Sequence, residues 1–190
     1  MTTRFFAIII LLIAGPCFGD LYQASMQQAR WEFKKTSNSC YLKQLIPQYG
    51  SAEFVQKAGE PLRFSIQEQR HKPLIIKASL KIMPAPWMRE VISSVDYPVY
   101  SDNAGIGGFG RLSVYAEVAE SMIDALTMGR YPTFVYVRDA SVLNLEETYV
   151  AVSAIRFAES YEDFLSCRNA QVSVNAQHKT VTKNRKKQAG

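Results

Sequence analysis

The sequence predicts a mainly β domain with some helix: an antiparallel β-sheet or partly closed barrel, packed with one long helix and one or two short ones. Three observations carry that prediction. Period-two alternation of apolar and polar residues recurs along the chain, the mark of strands with one buried face. A single apolar stripe at four-residue spacing stands among those stretches. The composition, 47% hydrophobic and 21% charged, is that of a chain that builds its own core, not of a disordered or membrane-embedded one.

The first nineteen residues read as a secretory signal: Arg4 as the basic start, an apolar run from Phe5 to Ala14, and a small-residue cut site at Gly19, so that the mature chain begins at Asp20. The run is broken by Gly15 and Pro16 and falls short of the roughly 20 apolar residues a bilayer span needs. Cys17 stands in the position of a lipid-modified cysteine, but Pro16 precedes it where a small residue is wanted, so lipidation is disfavoured. About 170 residues remain, the size of one domain. The expected organisation is a signal peptide over 1–19, a domain over 20–170 and a basic, disordered tail over 171–190.

Trp31 and Phe33 alternate with Glu32 and Lys34, and Tyr41 to Ile46 continues the pattern, giving two early strands. A short helix is expected to open at Ser51 and stop at Gly59. Two half-buried strands follow, one carrying Leu62, Phe64 and Ile66, the other Ile76, Ala78, Leu80 and Ile82. A weaker strand near Ser94 to Tyr100 contains Pro98, which cannot donate to a ladder. Val114, Val118, Met122 and Leu126 form the stripe of the long helix, which Gly129 ends. Runs from Thr133 to Val137 and from Tyr149 to Phe157 read as late strands. A last short helix opens at Ser160, with Asp163 three residues on as a capping partner, and carries Cys167.

The net charge of +5 is no nucleic-acid signature. Lys179, Lys183, Arg185, Lys186 and Lys187 lie in the tail and Arg4 leaves with the signal, so the 22 basic residues fall to 16 in the body against 17 acidic ones. A near-neutral body offers no broad basic face for phosphates. The tail either meets an acidic envelope surface or serves as a solubilising end. Two cysteines survive cleavage in a chain sent to an oxidising compartment, and a Cys40–Cys167 disulfide is expected.

Signals of chemistry are sparse. Gly105, Gly107 and Gly110 satisfy G-x-G-x-x-G, but no hydrophobic parallel strand leads into the motif and no alternating strand and helix series surrounds it, so it reads as a turn-forming loop. The mature chain has only His71, in a polar stretch between strands, and His178 in the tail. No metal or cofactor is expected, and no catalytic residue. The carboxylate pairs Glu146 with Glu147, and Glu159 with Glu162 and Asp163, read as solvated edges.

The run Cys40-Tyr-Leu-Lys-Gln-Leu-Ile-Pro47-Gln-Tyr-Gly50-Ser-Ala-Glu-Phe54 resembles the N-terminal domain of the MotY family of periplasmic flagellar-motor proteins. Met83-Pro84-Ala-Pro86-Trp87 and Gly129-Arg-Tyr-Pro132-Thr-Phe134 support it, with a cysteine near each end of the domain. The resemblance implies a domain that binds a MotX-like periplasmic protein, joins a ring around the flagellar basal body and helps recruit stator units. Pro47, Gly50, Pro84, Trp87, Gly129 and Pro132 are expected to act first as fold determinants. MotY-like proteins continue into an OmpA-like domain that grips peptidoglycan. This sequence ends in the short basic tail, so the resemblance is to the N-terminal domain only, and wall binding by that route is not expected. The competing expectation is a periplasmic carrier that closes its strands around an apolar ligand.

Overall fold

A computed structural model describes residues 20–70, 74–85, 87–88, 95–103, 110–138 and 147–171. The strands are β1 (Leu21–Gln23), β2 (Trp31–Lys35), β3 (Ser39–Ile46), β4 (Gly50–Lys57), β5 (Arg63–Glu68), β6 (Ile75–Met83), β7 (Tyr97–Pro98), β8 (Tyr100–Asn103), β9 (Gly110–Tyr115), β10 (Tyr131–Arg138) and β11 (Glu147–Ala151). Helix α1 spans Ala116–Thr127, and a second helix, α2, runs through 157–171. The strands form two open sheets, ordered β1-β11-β10-β6-β7 and β2-β3-β4-β5-β9-β8. Neither closes into a barrel. Every pairing is antiparallel except β1 with β11.

The six-stranded sheet follows from the alternation of its residues. Phe33, Leu42, Phe54, Phe64 and Val114 sit opposite one another across five neighbouring strands and share one core, while Lys34, Tyr41, Val55, Arg63 and Tyr115 form the next row on the other face. Phe54 and Phe64 stack at 4.3 Å, and Phe64 reaches Phe134 of the five-stranded sheet at 5.5 Å. Two sheets joined by such rings need no ligand between them to exclude water. The outermost strands are short, carry charge or contain proline, and so resist edge pairing with other chains: β1 has three residues, β7 contains Pro98, and β2 carries Glu32, Lys34 and Lys35.

Several expectations are corrected here. Ser51 opens no helix: 51–57 lies in β4, where Ala52, Phe54 and Gln56 are buried, and the Pro47–Gln48 turn returns the chain directly alongside β3, so ladder bonds take the backbone a helix would have used. Val114 belongs to β9, not to the long helix, which starts at Ala116 with a positive φ of 51°. The late strand ends at Ala151, and Phe157 already belongs to α2. Ser160 is inside α2, where its hydroxyl donates to the Trp31 carbonyl at 2.8 Å, so α2 is not a short helix capped by that residue. Ile76 is 58% exposed while Ile75 is buried. The β6–β10 register slips between Val137 and Arg138, which face Lys77 and Ile75; Ile76 is the extra residue of this irregularity and is turned outward.

Gly129 ends α1 with φ 75°. The Arg130 N–H reaches back to the Ala125 carbonyl at 2.8 Å, the six-to-one bond of a Schellman stop. At Gly50 a side chain would put its Cβ 2.0 Å from the Gln67 carbonyl oxygen, so only glycine lets β4 lie this close to β5. Residues 1–19, His71, Pro86, 104–109, Glu146 and 172–190 lie outside the described residues, and with them the signal segment, most of the glycine-rich motif and the tail. Among the described residues no helix is long and apolar enough to cross a membrane.

Candidate interaction site

Cys40 on β3 and Cys167 on α2 form a disulfide, Cα atoms 6.0 Å apart, that ties the front of the domain to its last helix across 127 positions. Both are buried in the main core. A polar link runs nearby. Gln44, fully buried on β3, donates its amide N–H to the Ser153 carbonyl at 3.0 Å and accepts the Ser153 N–H at 2.9 Å. The Trp31 indole N–H donates to the same carbonyl at 2.9 Å, and the Ser153 hydroxyl donates to the Tyr131 hydroxyl at 3.3 Å. This chain joins the two sheets after β11 has ended, where no ladder is available to do so.

A second buried link lies between Glu68, at the end of β5, and Arg138, at the end of β10. Glu68 is 3% exposed. Its Oε1 accepts from the Arg138 guanidinium and from the Tyr136 hydroxyl, the latter at 3.0 Å. Its Oε2 has no hydrogen-bond partner among the described residues. A Cβ at Gly110 would stand 3.0 Å from that oxygen, so the last glycine of the G-x-G-x-x-G pattern gives room to a buried carboxylate. Burial, with Glu68 beside it, pushes the Tyr136 hydroxyl well above the ordinary tyrosine range. Burial, then Tyr136 and Glu68, does the same for Tyr49.

The motif residues gather at two places on the surface. Tyr131, buried beside Ala85 and Ala151 in a small second core, meets the Trp87 ring edge-on at 6.0 Å. Trp87 remains 54% exposed. The space beside Gly129 is occupied by the Met88 methyl, 3.6 Å from where a Cβ would stand, and the Pro132 carbonyl accepts the Val152 N–H at 2.9 Å. The sequence stretches Met83–Trp87 and Gly129–Phe134 therefore pack on one another. The other place is the β3–β4 turn, where Pro47, Gln48 and Gly50 line a surface cleft of 410 Å³ together with Gln27, Gln28, Arg30, Glu32 and Gln69.

Among the described residues no three His, Cys, Asp or Glu side chains stand close enough to hold a metal. Glu159, Glu162 and Asp163 lie exposed on α2, and Glu147 at the start of β11 is also exposed, its carboxylate accepting the Tyr149 hydroxyl. Gln44, Ser153, Glu68 and Arg138 carry the buried links, and sequence reasoning did not single them out. A polar glutamine in register between the apolar Leu42 and Ile46 of β3 is the signal that could have marked Gln44.

A family model of the MotY N-terminal domain matches residues 22–172, which include both cysteines, the cleft and the Trp87 patch. The chain belongs to the MotY N-terminal domain family. It is also similar to the sodium-type flagellar protein MotY of Vibrio parahaemolyticus serotype O3:K6 (strain RIMD 2210633), with 28% identity over 156 residues. That alignment covers 78% of this chain and 50% of the relative, so the chain spans half the length of the flagellar protein it matches. In this chain the Gln44–Ser153 and Glu68–Arg138 links tie β3 and β5 of one sheet to the end of β10 and the segment after β11 of the other.

Proposed function

We propose that this chain is a non-catalytic scaffold of the flagellar motor that acts in the periplasm, joins a basal-body ring through a MotX-like partner and supports stator recruitment. The observation that carries the reading is the family match across 22–172, almost the whole described domain. Three features support it. An export signal at 1–19 would deliver the chain to the periplasm. The Cys40–Cys167 bridge suits an oxidising compartment. A core in which Phe54 stacks on Phe64 and Phe64 meets Phe134 of the other sheet suits a part that transmits force between partners.

An in-frame deletion of the gene tests the reading. The expected outcome is cells that assemble filaments of normal length and do not swim, with motility restored when the gene is supplied again. Deleted cells that swim at the parental speed overturn it.

A further inference from the structure

The residues that follow the expected cut are already part of the fold. The Asp20 carbonyl accepts the Tyr149 N–H at 2.8 Å, and the next three residues pair in parallel with β11: Leu21 with Tyr149, Tyr22 with Val150 and Gln23 with Ala151. Tyr22 packs against the main core, its ring 5.4 Å from that of Tyr49, and Ala24 is 1% exposed. A cut between Gly19 and Asp20 therefore falls one residue before a strand, and the residue it releases gives its own carbonyl to the sheet.

A peptidase binds the residues that flank its scissile bond in extended form, pairing with their N–H and C=O groups much as a sheet edge does. Docked on β11, the stretch from Asp20 to Ala24 is not free to do this. The rest of the domain closes without it. β1 is the outermost strand of its sheet, and β11 is held from the other side by β10 over five paired positions. The disulfide and both buried polar links, Cys40–Cys167, Gln44–Ser153 and Glu68–Arg138, all lie outside β1. The edge of the five-stranded sheet is thus a part of the fold that can form last.

We propose that a signal peptidase cuts the precursor while β1 is undocked, and that docking of β1 on β11 follows the cut and completes the five-stranded sheet. Hydrolysis adds one water across the Gly19–Asp20 peptide bond: the carboxylate stays on the leader and the new α-amine on Asp20. β1 has only three residues, and short terminal elements open locally at low cost. Proteolysis tracks the population of the open form, so docked β1 slows the cut without abolishing it. The inference rests on the export part of the scaffold reading and is independent of the motor part.

The test uses the full precursor, refolded in detergent micelles with its disulfide formed, and purified signal peptidase, with loss of the leader followed on gels. A synthetic peptide of residues 8–26 gives the rate at the same bond with no fold around it. The folded precursor should be cut at least about tenfold more slowly than the peptide. Tyr149→Pro removes the N–H that holds the Asp20 carbonyl, and Tyr22→Ala removes the ring that anchors β1 to the core. Each should be cut at least about threefold faster than the folded parent, while Tyr100→Ala, exposed on the edge strand β8 of the other sheet, is cut at the parent's rate. Melting curves establish that the variants fold. Two results overturn the proposal and leave the export assignment standing: a folded precursor cut as fast as the peptide, or Tyr149→Pro and Tyr22→Ala cut as slowly as the parent. A peptide left uncut between Gly19 and Asp20 overturns both.

Discussion

Replacing Gln44 with alanine should loosen the joint between the two sheets by an amount the geometry sets. The side chain is fully buried and makes two hydrogen bonds, at 2.9 and 3.0 Å, to one residue 109 positions away. In Gln44→Ala the Ser153 N–H loses this acceptor, while the Ser153 carbonyl keeps the Trp31 indole at 2.9 Å. A buried donor left bare costs about 1–3 kcal/mol, and truncating a packed side chain adds to it, for a total of about 2–4 kcal/mol. In a domain of this size each kcal/mol moves Tm by about 2–4 °C, so the variant should melt roughly 5–15 °C below the parent when followed by circular dichroism. Gln44→Glu is the sharper comparison: it keeps an acceptor for the N–H but sets a carboxylate against the Ser153 carbonyl, and should melt no higher than the alanine variant. A Gln44→Ala protein that melts within about 2 °C of the parent would refute the reasoning and leave the joint to the apolar core alone.

The Cys40→Ala/Cys167→Ala double variant frees a loop of 127 positions and should lose about 5 kcal/mol on the chain-entropy account, read as a lower urea midpoint; an unchanged midpoint contradicts that account. Arg138→Met leaves the buried Glu68 carboxylate without its cation and should cost about 3–5 kcal/mol, whereas the Glu68→Met/Arg138→Met pair should recover part of the loss; equal losses would mean the ion pair itself, not the stranded charge, sets the cost. Tyr49 and Tyr136 hold their protons more tightly in the folded chain than free tyrosine does, so their contribution is complete below pH of about 10 and is lost as pH rises past it, where unfolded tyrosines ionise. Alkaline unfolding should carry part of the tyrosinate absorbance with it, and Tyr136→Phe should flatten the fall of stability with pH; tyrosinate appearing in full before unfolding contradicts this.

The β character of the domain was legible because alternation survives in single strands: Leu62, just before β5, and Phe64 and Ile66 on it are all buried. What failed did so for identifiable reasons. Ser51 resembles a helix cap only until β3 is there to pair with it. Val114 keeps the helical spacing by coincidence, since one residue serves as a strand's core position and the next but one as the helix start. Ile76 looked buried because an irregularity that changes a strand's phase leaves no mark in composition. The cysteine pairing could be read from count and compartment. The site was harder. The motif stretches lie at the two surface places described above, but nothing in one dimension brings Trp87 to Tyr131, or Gln27 and Arg30 to Gln48. Those encounters depend on β6 and β10 being neighbours and on the 25–29 turn resting against the β3–β4 hairpin.

The central claim, that this domain serves the flagellar motor as a scaffold, is tested most directly by isolating hook–basal bodies from cells that carry a tagged copy of the chain. The account predicts retention with the basal bodies through washing, lost when the MotX-like partner is deleted. A folded, abundant protein found wholly in the periplasmic fraction and absent from the basal bodies would contradict it.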